Sequence, residues 1–206
     1  LNTRGTGQAN YVGATTAAIT TNQTAYPTIN VTSSTSDVTI TGDSQVLYQA
    51  YLRNTGDLTL QPYAANFDRT QYFSSGWAAS FPTTYKNVRI GKAGTNGSNQ
   101  NNADIILDRF AATGDIAVYG GNISANNGFT TSETSGNGIL LKATNTITFT
   151  GGSSGSNITT QVTGANSTAP INLWANADAT GEGFIYLNNY TDFTTQGGPI
   201  TMGGSA

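Results

Sequence analysis

One short unit keeps returning along this chain: a small residue, an Asp or Asn, then apolar–x–apolar, then another turn residue. It is SDVTITGD from Ser36, GDLTLQP from Gly56, NVRIGKAG from Asn87, ADIILDRF from Ala103 and GDIAVYGG from Gly114. It returns, with looser openings, as GNGILLKA from Gly136, NTITFTGG from Asn145, APINLWA from Ala169, GFIYLNN from Gly183 and GGPITMGG from Gly197. Strict apolar–polar alternation is strand periodicity, and each run is about half an ordinary strand. A strand that short gains stability when the matching strands of the coils above and below pair with it, so that the sheet grows along a stack. The unit therefore predicts an all-β chain folded as a parallel β-helix. The expected hand is right, because parallel crossovers are almost always right-handed. Unit starts lie about eight to thirty residues apart, which suits a degenerate solenoid and no strict hexapeptide. A two-sheet β-sandwich also uses short strands with frequent turns and is the structural alternative.

Coils of roughly 20–25 residues would give about eight rungs, a body roughly 40 Å long at the usual inter-strand spacing. The apolar members of the runs, among them Ile116, Val118, Leu140, Ile147, Phe149, Leu173, Ile185, Leu187 and Ile200, are expected inside. Helical periodicity is weak, its best stretches being 44–52 and 76–80. The whole chain, 1–206, is read as a single solenoid domain. Residues 1–49 form a strand-rich opening segment, nearly free of charge and suited to adding a strand to a neighbouring molecule. Residues 61–86 hold seven aromatic residues and two prolines and are expected to form an insertion lying over one face.

Only 9% of residues are charged and 36% hydrophobic, with Gly and the small polar residues filling the gap. Disorder usually combines low hydrophobicity with high charge, whereas uncharged Thr and Asn can enter strands and stacked ladders. The net charge is −3 and the eight basic residues are scattered, so no basic stripe exists to neutralise phosphates and nucleic acid is not an expected partner. Cysteine is absent, which removes disulfides and thiolate metal sites. No apolar run reaches membrane-spanning length, and LNTRGTGQAN is not a signal peptide; if the protein is exported, its signal lies upstream or has been removed.

The order of these segments carries a resemblance. RNTGDLTLQPYAANF, RIGKAGTNG, GDIAVYGGNISANNG, GILLKATNTITFTGG and INLWANADATGEGFIYLNN with GGPITMGG resemble the β-strand repeats of very large secreted bacterial proteins of the filamentous haemagglutinin-like adhesin type. The likeness covers roughly residues 50–206, and residues 1–49 match it only in style. It implies a right-handed parallel β-helix, export to the bacterial cell surface or the extracellular space, and a role in adhesion, matrix or fibre formation. Surface glycans or extracellular matrix are the implied partners. It implies no catalytic residues and no cofactor. Such proteins usually far exceed 206 residues, so the chain is expected to be a module or a processed piece.

The candidate sites are few. With no histidine, Ser-His-Asp, Cys-His and His-metal chemistry are excluded. Asp104 and Asp108 flank IIL beside Arg109, yet two carboxylates four residues apart on a strand stand about 13 Å from each other, too far for a glycosidase pair. NADATG places oxygen ligands at Asn176, Asp178 and Thr180, with Glu182 close by, like the opening of a calcium loop. The twelfth position is Leu187 where a bidentate Glu is required, so a polar turn is the plainer reading. Tyr72, Phe73, Trp77, Phe81 and Tyr85 could form a platform for stacking sugar rings or a partner, or simply pack on the flank. Thr146, Thr148 and Thr150 form a threonine rank like those of ice-binding solenoids, but it occurs once. Sequons such as Asn122 and Asn189 are common by chance in an Asn- and Thr-rich chain. Self-association head to tail into a fibre is also expected, since GGPITMGGSA offers no helix or charged segment to cover a terminal rung.

Overall fold

The computed structural model describes residues 2–3, 9–12, 18–20, 30–35, 37–46, 51–73, 85–94, 101–107, 110–126, 129–132, 136–150, 156–160, 168–188 and 191–204. Among them there are strands and turns and no helix. The chain winds as a three-faced parallel β-solenoid. After β1 (Asn2–Thr3), the first coil is β2 (Ala9–Val12), β3 (Ala18–Thr20) and β4 (Asn30–Ser34). The second is β5 (Val38–Thr41), β6 (Ser44–Val46) and β7 (Tyr51–Asn54), and the third has β8 (Leu58–Gln61) and β9 (Gln71–Phe73). The fourth holds β10 (Val88–Ile90), β11 (Ile105–Leu107) and β12 (Phe110–Ala112), and the fifth β13 (Ile116–Gly120), β14 (Ile123–Ala125) and β15 (Phe129–Thr131). The sixth is β16 (Ile139–Ala143), β17 (Ile147–Phe149) and β18 (Ser156–Thr160). The seventh is β19 (Ile171–Ala175), β20 (Ile185–Leu187) and β21 (Thr191–Thr195), and β22 (Ile200–Gly204) opens the eighth.

Face one is a continuous eight-stranded parallel sheet, β2-β5-β8-β10-β13-β16-β19-β22. Face two runs β3-β6 and then β9-β11-β14-β17-β20. The backbone N–H of Gln45 on β6 donates to Oε1 of Gln71 on β9 at 2.9 Å, linking its two parts. Face three runs β1-β4-β7 and β12-β15-β18-β21, and Tyr85 bridges to Ala112 between them in sequence. Face-one strands begin at residues 9, 38, 58, 88, 116, 139, 171 and 200, so a coil takes from 20 residues (38 to 58) to 32 (139 to 171). The expectation of about eight rungs holds, with many coils longer than expected.

Register explains the core. Leu58, Val88, Ile116, Ile139 and Ile171 are aligned on face one, and all are buried. Ile105, Ile123 and Ile147 do the same on face two. Like side chains stacked in line fill a narrow interior without voids. Aromatic residues fill the third corner: Phe110 and Phe129 are paired and buried, and the ring of Phe193 meets that of Phe149 edge-on at 5.4 Å.

Three sequence expectations change. Leu140 points outward and Leu141 is the buried member, because Ile139 pairs with Ile116 and fixes the odd positions inside. Ile200 and Leu187 lie on inward rows, opposite Ile171 and Phe149, yet they are 43% and 42% exposed. They belong to the last described strands of their faces, and no further coil covers them among the described residues. The described part of 61–86 is no overlay: Phe67, Phe73 and Tyr85 are core residues, and Gln71–Phe73 supplies the third coil's face-two strand. Residues 74–84 lie outside the described set. In keeping with the all-β expectation, 44–52 is strand where it is described, in β6 and the start of β7, while 76–80 lies outside the described residues.

The inward and outward alternation gives a sharp test with two adjacent leucines. Leu141→Asn should destabilise by at least about 3 kcal/mol, through lost packing and an unpaired buried amide. Leu140→Asn should stay within about 1 kcal/mol of the parent. Urea unfolding of both variants checks this, and equal losses would show the register to be wrong.

Candidate functional site

A cavity of about 520 Å³ lies outside the core, along face one and its leading corner. Its construction begins with the recurring Asp or Asn. Asp37, Asp57, Asn87 and Asp115 each stand immediately before a face-one strand, and Asn137 stands one residue further back, with Gly138 between it and β16. At this corner the backbone leaves one sheet and turns into the next, so amide groups of each coil need acceptors. The neighbouring coil supplies them. The N–H of Asp57 donates to Oδ1 of Asp37 at 2.8 Å. Nδ2 of Asn87 donates to Oδ1 of Asp57 at 2.8 Å, and the N–H of Asp115 donates to Oδ1 of Asn87 at 2.8 Å. Asp115 then accepts from the N–H of Asn137 at 2.9 Å, from the N–H of Gly138 at 2.8 Å and, through Oδ2, from Nδ2 of Asn137 at 2.8 Å. Asp and Asn serve here because both accept on a short, stiff arm. Gly138 is required for a second reason. Its φ is +62°, and a Cβ would sit 2.2 Å from the carbonyl oxygen of Pro170 in the next coil.

A shorter ladder of the same kind marks the corner before face two. Asp104 Oδ1 accepts both the N–H and the Nδ2 of Asn122, at 2.9 and 2.8 Å, and Asn122 Oδ1 accepts from the N–H of Thr146 at 3.3 Å. The reused opening of the sequence unit thus serves two corners.

The outward row of face one makes the cavity floor. Thr59, Arg89, Ala117, Leu140 and Asn172 are aligned across five successive coils. Ala117, the smallest, lies between Arg89 and Leu140, so the row dips there. Tyr119 closes the side away from the corner ladder; it is outward-facing on the same strand as Ala117 yet only 7% exposed. Its backbone carbonyl is held from within, accepting from Nδ2 of the fully buried Asn101 at 2.7 Å. Oδ1 of Asn101 accepts from the N–H of Phe67 at 3.2 Å, so one side chain ties three coils together. Gly91 leaves room for that carbonyl, since a Cβ there would come within 2.3 Å of it.

The residues singled out from sequence do not converge. Tyr72 faces solvent on β9, 46% exposed, while Phe73 and Tyr85 are buried; Trp77 and Phe81 lie outside the described residues. Burial pushes the Tyr85 phenol well above its ordinary pKa. Asp104 belongs to the ladder just described, and Asp108 and Arg109 lie outside the described set. Asn176, Asp178, Thr180 and Glu182 occupy the turn between β19 and β20. Asn176 and Ala179 there have φ of +49° and +56°, and Oδ1 of Asp178 accepts from the N–H of Thr180 at 3.2 Å, a self-contained Asx turn. Asn176 is buried whereas Thr180 and Glu182 are exposed. Among the described residues no three Asp or Glu side chains are grouped to hold a metal ion.

Sequence reading passed over Arg89, Ala117, Tyr119 and Asn172. Their signal is present, as polar or small residues at the x positions of the repeated unit, but it takes on meaning only when coil-to-coil register aligns them. The chain matches no family model, no curated protein and no solved structure.

The ladder predicts unequal costs at two residues that line the same cavity. Asp115→Ala should lower stability by about 2–3 kcal/mol, because two backbone amides and one side-chain amide lose their acceptor. Arg89→Ala, an exposed outward change, should cost no more than about 0.5 kcal/mol. Chemical denaturation measures both, and a neutral Asp115→Ala would show that the ladder contributes nothing.

Proposed function

We propose that the chain is a non-enzymatic structural or adhesive β-solenoid of the bacterial surface or extracellular space, acting as a module of a large surface protein or as a fibre-forming subunit. The observation that carries this reading is the state of the last described coil. Ile200 and Met202 continue the inward rows of Ile171 and Leu173, and Leu187 continues that of Phe149; all three are more than two-fifths exposed. The outer edges of β20, β21 and β22 pair on one side only among the described residues. Such a surface has the chemistry of the solenoid's own interior: three open hydrogen-bonding edges around an apolar centre. Its natural complement is another coil of the same kind. In the fibre reading a second copy supplies that coil, and a head-to-tail contact of this sort does not close on itself.

The resemblance of residues 50–206 to filamentous haemagglutinin-like adhesins supports the surface and adhesion part. So does a composition with few charges, no cysteine and abundant small polar residues. The ladder carboxylates Asp57, Asp104 and Asp115 act as acceptors between coils, which supports a structural role for the acidic residues most regularly placed in the sequence. The runner-up, a carbohydrate-binding or carbohydrate-processing β-helix, draws on the face-one groove.

Sedimentation velocity and electron microscopy over a wide concentration range test the assembly. The expected result is end-to-end oligomers that lengthen with concentration. Met202→Asp should abolish them while the monomer stays folded with a melting temperature only slightly lowered, because the side chain is already 43% exposed. A monomer at every concentration would remove the fibre reading.

A further inference from the structure

One edge of the face-one cavity is the corner ladder that ties coil to coil, but the side chains of Arg89, Ala117, Leu140 and Asn172 that line the rest of it are no part of that ladder. We propose that the cavity is a binding groove for a neutral oligosaccharide, lying across the strands from the third coil to the seventh. This goes beyond the structural role and does not depend on the stacking of copies.

Four observations point to that ligand. The volume, about 520 Å³, falls in the range of small-molecule sites. The shape is long and shallow, because its lining comes from successive coils spaced by one inter-strand step of about 4.8 Å and includes Arg89, Ala117, Leu140 and Asn172. An extended polymer fits such a trough better than a single compact molecule does.

The chemistry is that of a sugar's two surfaces. Ala117 and Leu140 offer an apolar strip to the C–H face of a pyranose, with the largely buried Tyr119 closing its side. The ladder edge and the far end supply carboxylate, carboxamide and hydroxyl groups, which together donate and accept. Vicinal hydroxyls, each of which both donates and accepts, match a lining of that mixture. Trp174, 38% exposed and on the same strand as Asn172, lies outward in the neighbouring row beyond Lys142, with Gly203 against its ring and no side chain there to cover it. It adds an aromatic surface beside the far end of the cavity.

The alternatives fit less well. A nucleic acid or polysulfate would meet the carboxylates of Asp57 and Asp115 along one edge, and the cations near the groove, Arg89 and the Lys142 that lies between Tyr119 and Trp174, are too few to track a polyanion. An extended peptide gains most of its affinity by adding to a sheet edge. Here the floor is the face of a continuous eight-stranded sheet, so its main chain would find no such edge.

The test uses the whole chain and a panel of neutral hexasaccharides built from glucose, mannose, galactose and N-acetylglucosamine, titrated calorimetrically, with hexagalacturonate as the acidic comparison. At least one neutral hexasaccharide should bind with a Kd between micromolar and low millimolar. Ala117→Phe, which fills the dip from the outside and leaves the core untouched, should weaken that binding at least tenfold with an unchanged melting temperature. Tyr72→Ala, on another face, should leave it unchanged. The proposal is overturned if no neutral member binds, if Ala117→Phe binds as the parent does, or if hexagalacturonate alone binds. Oligomer size measured on the same Ala117→Phe sample keeps the two readings apart, since assembly at the coil end should persist when the groove is blocked.

Discussion

Everything in this molecule depends on one interaction, the backbone hydrogen bonding of each short strand to its counterpart one coil away. A three-residue strand such as Val88–Ile90 buries two side chains and could not persist alone. It persists because Leu58–Leu60 lies on one side and Ile116–Val118 on the other, in register and parallel. That arrangement dictates the rest. Like residues must stack on like, since a position facing inward in one coil faces inward in all. Turns can vary in length, since only the strands are held in step. The corners must provide for their own amides, and the Asp and Asn ladders do so.

These constraints show which parts of the fold are legible in sequence and which are not. The recurring Gly, Asp or Asn, apolar, x, apolar unit announces the solenoid because it is the repeated solution to one physical problem, a corner followed by a half-buried strand. Its exact phase is less legible. In GILLKA the two leucines are chemically identical, and only pairing with Ile116 decides that Leu141 goes in and Leu140 out. The aromatic run after Gln61 suggests an excursion because its spacing departs from the unit. Yet Phe67 and Phe73 fill the interior, their rings 6.4 Å apart and edge to face, since a wide corner needs bulk that Ile and Val cannot supply. Exposure of Ile200 and Leu187 could not be foreseen from alternation, which reports the face of a strand and says nothing of whether another coil lies above it.

The candidate sites follow the same logic. Motif reading favours what is contiguous, and so it finds NADATG and the aromatic cluster. The groove is assembled from single residues about 20 to 30 positions apart, one per coil, as a periodic stack requires. Among the described residues the last coil leaves inward-row side chains exposed, and the flank carries side chains free to vary without disturbing the stack.

The central claim is the parallel, in-register stacking, and it can be tested directly because the chain has no cysteine of its own. Ser124 and Thr148 are partners on adjacent coils of face two, both half-buried and outward, and partners in a sheet lie within disulfide reach. The Ser124→Cys, Thr148→Cys double variant should close an intramolecular disulfide rapidly and almost completely under mild oxidation. The pair Ser124→Cys with Thr130→Cys, nearer in sequence but on different faces, should not. Failure of the first pair to cross-link, or equal cross-linking of both, would contradict the stacked solenoid.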